Sequence, residues 1–154
     1  MSLTKVSFSM LNGAPVSPLD FGAVGDGTVA GGGTDDTAAL QAFINYCRDN
    51  NVSGYVPNND YSYRITSSLV TQHNGSFAAL LIDFNNAKII ADFDSSAAII
   101  VTGGAADQTL LNVNLGPSTA RAMNVSYSNA DSLSHGISVT NTIVKITGLW
   151  IFTF

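Results

Sequence analysis

The sequence predicts a mainly β protein with one helix near its start, the strands recurring as the coils of a solenoid recur. Three observations carry this expectation. Charged residues make up 11% of the chain and hydrophobic residues 45%, and that charged share is roughly half of what globular domains carry. Fourteen glycines lie among many Asn, Ser and Thr, a mixture suited to short strands and tight turns; a disordered chain would hold more charge and fewer apolar groups. All eleven carboxylates are Asp and none is Glu, and Asp serves turns and caps where Glu serves helix interiors. At 154 residues the chain is long enough for one domain with a real core.

Taken in order, residues 1 to 18 read as an extended arm, since Pro15 and Pro18 disfavour helix. A glycine-rich loop follows from Leu19 to Gly33. The helix is expected over about 34–50. Thr34 is suited to the N-cap, Asp35 and Asp36 put negative charge on the first turn, and Leu40, Phe43, Ile44 and Cys47 recur at helical spacing. Asn50-Asn51 supplies a left-handed stop. Only one face is apolar, so the helix is expected to lie on a core, with Cys47 as a packing residue.

Beyond Asn51 the chain reads as strands and turns. Ser53–Val56 and Tyr61–Thr66 flank the turn Pro57-Asn58-Asn59-Asp60, and apolar bursts begin near Ala79, Lys88, Ala97, Thr109, Arg121, Gly136 and Ile143. The bursts at 79, 109 and 136 lie about 30 and 27 residues apart, a plausible coil of three strands. The last seven residues, Gly148 to Phe154, stay apolar to the end. An exposed strand of that kind is a liability and a solenoid needs a cap, so the native protein is expected to continue, or another subunit to cover this strand.

Several function classes are disfavoured. With a net charge of −5 and six strong bases spread along the chain, there is no basic stripe for nucleic acid. A single cysteine rules out an intrachain disulfide framework and a CxxC metal site. No stretch reaches the roughly 18 apolar residues of a membrane span. The N-terminus shows no continuous apolar segment of the signal-peptide kind. The Asn-x-Ser triplets at Asn51, Asn74 and Asn124 read as chance matches in an Asn- and Ser-rich chain.

The run Leu19-Asp20-Phe21-Gly22-Ala23-Val24-Gly25-Asp26-Gly27, then Thr34-Asp35-Asp36-Thr37-Ala38-Ala39-Leu40-Gln41-Ala42-Phe43-Ile44, resembles the opening of the pectate-lyase-like superfamily, which recurs in phage tailspikes and capsule depolymerases. Tyr55-Val56-Pro57 and Tyr63-Arg64-Ile65 stand where that pattern has its first two strands, and the resemblance covers about residues 16 to 70. Val29 to Gly33 is inserted relative to it. Met10 to Val16 is similar to a lead-in found in phage tail proteins.

The resemblance implies a right-handed single-stranded parallel β-helix with one N-terminal capping α-helix, residues 19–154 forming the cap and first coils. A helix laid across the open end, with Leu40, Phe43 and Ile44 facing inward, would close the bore. Asp20, Asp26, Thr34, Asp35 and Asp36 are then turn and cap residues. A phosphate-loop reading of the glycines fails because no GK[ST] follows.

For chemistry, the acids Asp83, Asp92, Asp94 and Asp107 are the candidates. A strand through Ile90 to Asp94 would place Asp92 and Asp94 on one face about 6.6 Å apart, just within the roughly 6.5–9.5 Å of an inverting glycosidase. Asp94-Ser95-Ser96 also reads as a turn. A lyase would need a cation and a base; Arg64 and Arg121 are candidate bases without a cluster of calcium-binding acids. His73 and His135 read as loop residues, and Trp150, Tyr61, Tyr63 and Tyr127 as packing aromatics that could stack on sugars.

No cofactor and no metal are expected. The resemblance implies a virion component, the N-terminal part of a homotrimeric phage tailspike or fibre, made without a signal peptide. It would dock on phage tail or baseplate proteins through residues 1–18 and recognise host surface polysaccharide, with no nucleic acid and no membrane insertion. An active polysaccharide lyase or hydrolase and a non-catalytic carbohydrate-binding module are the alternatives.

Overall fold

The protein is described from a computed structural model. It covers residues 15–58, 60–72, 80–94, 96–102 and 107–117, and the short segments 122–123, 132–133, 135–140, 143–147 and 150–151. Residues 1–14 of the expected arm lie outside the described residues, as do His73, Arg121 and Tyr127.

Among the described residues the fold is mainly β, with parallel sheets and one α-helix. A short 3-10 helix, Pro18–Phe21, precedes helix α1, Thr37–Asn50. The strands follow as β1 (Gly54–Tyr55), β2 (Ser62–Ile65), β3 (Leu69–Gln72), β4 (Leu80–Asp83), β5 (Lys88–Ala91), β6 (Ala97–Thr102), β7 (Asp107–Leu111) and β8 (Asn114–Pro117). After them come β9 (Ala122–Met123), β10 (Ser132–Leu133), β11 (His135–Thr140), β12 (Ile143–Thr147) and β13 (Trp150–Ile151).

Three sheets take these strands in rotation. One sheet has the order β1-β4-β7-β12, the next β2-β5-β8-β13, and the third β3-β6-β11, while β9 and β10 pair with each other. Every pairing among the described residues is parallel. In the first sheet Gly54 pairs with Ile82 and Ile82 with Leu110, a step of 28 residues (54 to 82, 82 to 110). In the second, Ser62, Lys88 and Asn114 step by 26 (62 to 88, 88 to 114).

The spacing read from the sequence is corrected here. The bursts near 79 and 109 do share a sheet, but the burst near 136 belongs to another one. Strand β11 pairs with β6, His135 opposite Ala97, a step of 38 (97 to 135). The longer step holds the extra pair β9–β10, so apolar spacing alone matched strands of different sheets.

In-register inward residues fill the space between sheets. Ile82 on Leu110, Tyr63 on Ile89 on Leu115, and Leu69 on Ile99 are all fully buried. Apolar side chains stacked on successive strands of a sheet remove area from water.

Helix α1 lies against this core through Leu40, Phe43, Ile44 and Cys47, all buried. Burial pushes the Cys47 thiol up to about 12, as suits a packing residue. Asn51 ends the helix in the left-handed conformation, φ 54°, its N–H donating to the Cys47 carbonyl. Strand β1 then passes close beneath the helix. A Cβ at Gly54 would stand 2.5 Å from Phe43 Cζ and 2.9 Å from Cys47 Sγ, so only glycine admits this approach.

The helix start is a second correction. It begins at Thr37 with Asp36 at the N-cap, so Thr34 is not the cap and the first turn holds no acid. The reason lies in the sheet: Asp35 bridges Arg64 of β2 in parallel fashion, and Asp36 N–H donates to Arg64 O at 2.9 Å. The backbone stays extended through residue 35 because it is pairing with a strand. At the end of the expected arm, Val16 is buried and bridges Gly54, and Pro18 starts the 3-10 helix.

Replacing Gly54 by Ala should cost about 1–3 kcal/mol through overpacking between helix and strand. The urea midpoint should fall with an unchanged denaturant slope.

Candidate functional site

Most of the motif residues meet at one place: the first edges of the three sheets. Each of β1, β2 and β3 begins a sheet, so each has one row of backbone groups facing away from its partner strand. Buried or half-buried, such groups need hydrogen bonds.

The edge of β1 is met by the backbone of Val16, whose N–H donates to Ser53 O at 3.3 Å and whose carbonyl accepts from Tyr55 N–H at 2.8 Å. The edge of β2 is met by the glycine-rich loop. Ser62 N–H donates to Gly25 O at 2.9 Å, and Gly27 N–H donates to Ser62 O at 2.7 Å. Gly25 has φ +70°, and a Cβ there would stand 2.5 Å from Tyr61 Cδ1, so the loop can lie this close only with glycine.

The edge of β3 is met by a side chain. Gln41 on α1 donates from Nε2 to Val70 O at 2.9 Å and accepts at Oε1 from Val70 N–H at 2.8 Å. Its amide does for β3 what a neighbouring peptide group does inside a sheet. Sequence reading placed Gln41 in the motif run but gave it no role, because its partner lies 29 positions away.

The acids hold this arrangement in shape. Asp20 accepts from Ser17 N–H at 3.1 Å in a capping box over the 3-10 helix. Asp26 accepts from Thr34 N–H at 2.7 Å and from the Thr34 hydroxyl at 3.2 Å, closing the base of the loop. The Thr34 N–H holds the Asp26 carboxyl below its ordinary range. Asp35 accepts from Thr37 N–H at 3.0 Å, from the Thr37 hydroxyl, and from the Thr66 hydroxyl at 2.6 Å. Partial burial pushes its carboxyl up, but those donors and Arg64 outweigh it, and the net shift is downward.

Asp36 behaves in the opposite sense. Its two carboxylate oxygens accept from Val24 N–H at 2.7 Å and Gly25 N–H at 3.0 Å. The residue is buried, and that burial, with the nearby Asp26 and Asp35 charges, outweighs both hydrogen bonds and raises its pKa.

The strand geometry expected for Asp92 and Asp94 is corrected. Strand β5 ends at Ala91, so no strand runs through Ile90 to Asp94, and Asp94 lies in a bend. Asp92 is engaged by Arg64, whose Nε and Nη2 donate to Asp92 Oδ2 at 2.9 and 2.7 Å, while Nη1 reaches Gly33 O at 3.4 Å. The pair joins β2 to the residue just past the end of β5, and the Gly33 contact ties the loop to both. Arg64 is thus engaged in an ion pair with Asp92.

Tyr63 is fully buried and donates its hydroxyl to Pro57 O at 3.0 Å, and its ring stacks on Tyr61 with centroids 6.1 Å apart. His135, Trp150 and Asp107 are placed as backbone in β11, β13 and β7. Among the described residues no group of three or more His, Cys, Asp or Glu side chains could hold a metal ion.

Asparagines shape a second surface, at the bend between the first and second sheets. Asn85, Asn86 and Asn112 are left-handed, with φ of 48°, 57° and 51°. Asn58 Nδ2 donates to Asn85 O at 2.6 Å, Asn114 Nδ2 to Asn86 O at 3.3 Å, and Asn112 Nδ2 to Asp83 Oδ1 at 2.9 Å. Side-chain amides thus carry hydrogen bonding from rung to rung where the strands are interrupted.

Compared with protein-family models, curated proteins and solved structures, the chain matches none. The site therefore stands on its geometry, which is that of a closure.

Two outcomes follow. Changing Gln41 to Ala should cost about 1–3 kcal/mol, because it strands both Val70 groups, and hydrogen exchange should speed up at the Val70 amide before it does in β6. The lowered pKa of Asp35 means that its stabilising contribution is present above about pH 4 and is lost as pH falls through the folded value. Asp35→Asn should therefore lower the urea midpoint at pH 7, and the effect should shrink as the pH is taken below about 4.

Proposed function

We propose that the chain is the N-terminal part of a phage tailspike or tail fibre, a virion component that assembles as a homotrimer and takes part in recognising host surface polysaccharide. In this reading the three sheets in rotation are the first coils of a right-handed single-stranded parallel β-helix, and α1 with the glycine-rich loop is its cap. Residues 1–18 dock on tail or baseplate proteins.

One observation carries the reading: the motif residues that resemble the tailspike opening are spent on closing the starting edges of three parallel sheets. Asp26, Asp35, Asp36 and the loop glycines bind backbone and neighbouring side chains. That use suits a cap at the head of a long parallel stack, and it suits an enzyme site poorly. A depolymerase reading of this segment is weakened further by the Arg64–Asp92 ion pair, which occupies the better of the two acid candidates.

Light scattering on the purified chain tests the assembly. A particle of three times the chain mass is expected at micromolar concentration. A strictly monomeric, freely soluble chain would sink the proposal. Incubation with capsular or pectic polysaccharide should release no reducing ends and no unsaturated uronate.

A further inference from the structure

We propose that the outer surface centred on Tyr55, with Asp83 and the bend asparagines, binds a neutral polysaccharide. The inference rests on the polysaccharide-recognition reading above and gives it a location and a class of sugar.

Tyr55 is 37% exposed on the outward side of β1, the preceding Gly54 being buried. Its hydroxyl oxygen accepts from Asn85 Nδ2 at 2.6 Å. This contact is itself exposed, so water could serve both groups equally well, and closing the fold does not call for it. What the contact does is hold a solvent-facing ring in one orientation. A fixed aromatic face loses little freedom when a ligand stacks on it, and the hydroxyl proton remains to be donated.

Polar groups surround that ring in register. Asp83 stands opposite Tyr55 on the adjacent strand. Its Oδ1 accepts from Asn85 N–H at 2.8 Å and Asn112 Nδ2 at 2.9 Å, while Oδ2 has no hydrogen bond among the described residues. Leu81, also 36% exposed, lies farther along the same strand opposite Thr109. The surface thus offers an apolar plate, a fixed acceptor and amides along successive rungs.

A pyranose presents the complement: an apolar C–H face to stack on an aromatic ring and a rim of hydroxyls to hydrogen bond. An open surface running across rungs suits an extended polymer. The Asp83 carboxylate beside the ring, on a chain of net charge −5, disfavours uronate, sialate and phosphate groups, so the ligand is a neutral glycan.

The intact chain should be applied to an array carrying linear neutral glycans alongside uronate- and sialate-containing ones. Neutral glycans should be bound. Tyr55→Ala should weaken that binding about fivefold or more, Tyr55→Phe should weaken it less, and neither should shift the melting temperature appreciably. If Tyr55→Ala does lower it, Tyr55→Thr removes the ring while keeping strand propensity, and the same loss of binding is expected. Neutral-glycan binding indifferent to these changes, or binding of anionic glycans alone, overturns this site and leaves the polysaccharide reading standing. A trimer that binds no arrayed glycan of either kind overturns both.

Discussion

Three parallel sheets that begin at the same end of a molecule leave three unpaired edges there, and the rest of this structure depends on how those edges are closed. An unmet backbone group that water cannot reach costs roughly 1–3 kcal/mol, and an open edge also invites another chain to pair with it. The protein closes the three in three ways. A strand-like stretch at Val16 serves β1, a glycine-rich loop serves β2, and one glutamine amide serves β3. The solutions differ because the helix has to come from somewhere. The chain reaches α1 by crossing β2, so β1 and β2 meet backbone on its way past, and β3 meets the helix itself.

That route fixes the helix. Its inner face, Leu40, Phe43, Ile44 and Cys47, covers core residues that would otherwise face water, and Gly54 lets the first strand lie directly beneath it. Burial of these side chains favours the helix far more than its own propensity does; Thr, Phe, Ile, Asn and Tyr are indifferent helix formers. Past the cap the chain repeats a simpler solution. Each strand lies in parallel on the one before it in its sheet, like residues stack inward, and asparagines tolerate the left-handed bends between sheets.

The helix, its apolar face and its Asn51 stop were legible in the sequence because they depend on neighbours within four positions. So was the mainly β character, which composition carries. The helix start was not legible: Thr34-Asp35-Asp36 is an N-cap signal by any local rule, and only Arg64, distant in sequence, holds residue 35 extended. Strands β3 and β8 escaped for a related reason. Asn114-Leu115-Gly116-Pro117 reads as a turn, yet Leu115 stacks on Ile89 and draws the segment into the sheet. The ion pair of Arg64 with Asp92 and the amide bridge of Gln41 join residues 28 and 29 positions apart. A single sequence shows no sign of either.

The same distinction separates holding residues from binding residues. Asp35 and Asp36 are adjacent, yet their carboxyls shift in opposite directions. Asp35 collects enough donors to outweigh its partial burial, whereas Asp36 is buried beside two like charges and its two N–H donors do not compensate. Both are engaged by the protein's own groups, and Asp36 is buried as well. Asp83 belongs to no motif and Tyr55 only to the strand that follows the helix, but Tyr55 stays partly exposed and Asp83 keeps a carboxylate oxygen that no described residue engages. Conspicuous spacing in this sequence marks where the chain must satisfy itself, and capacity for a partner lies where those demands are already met.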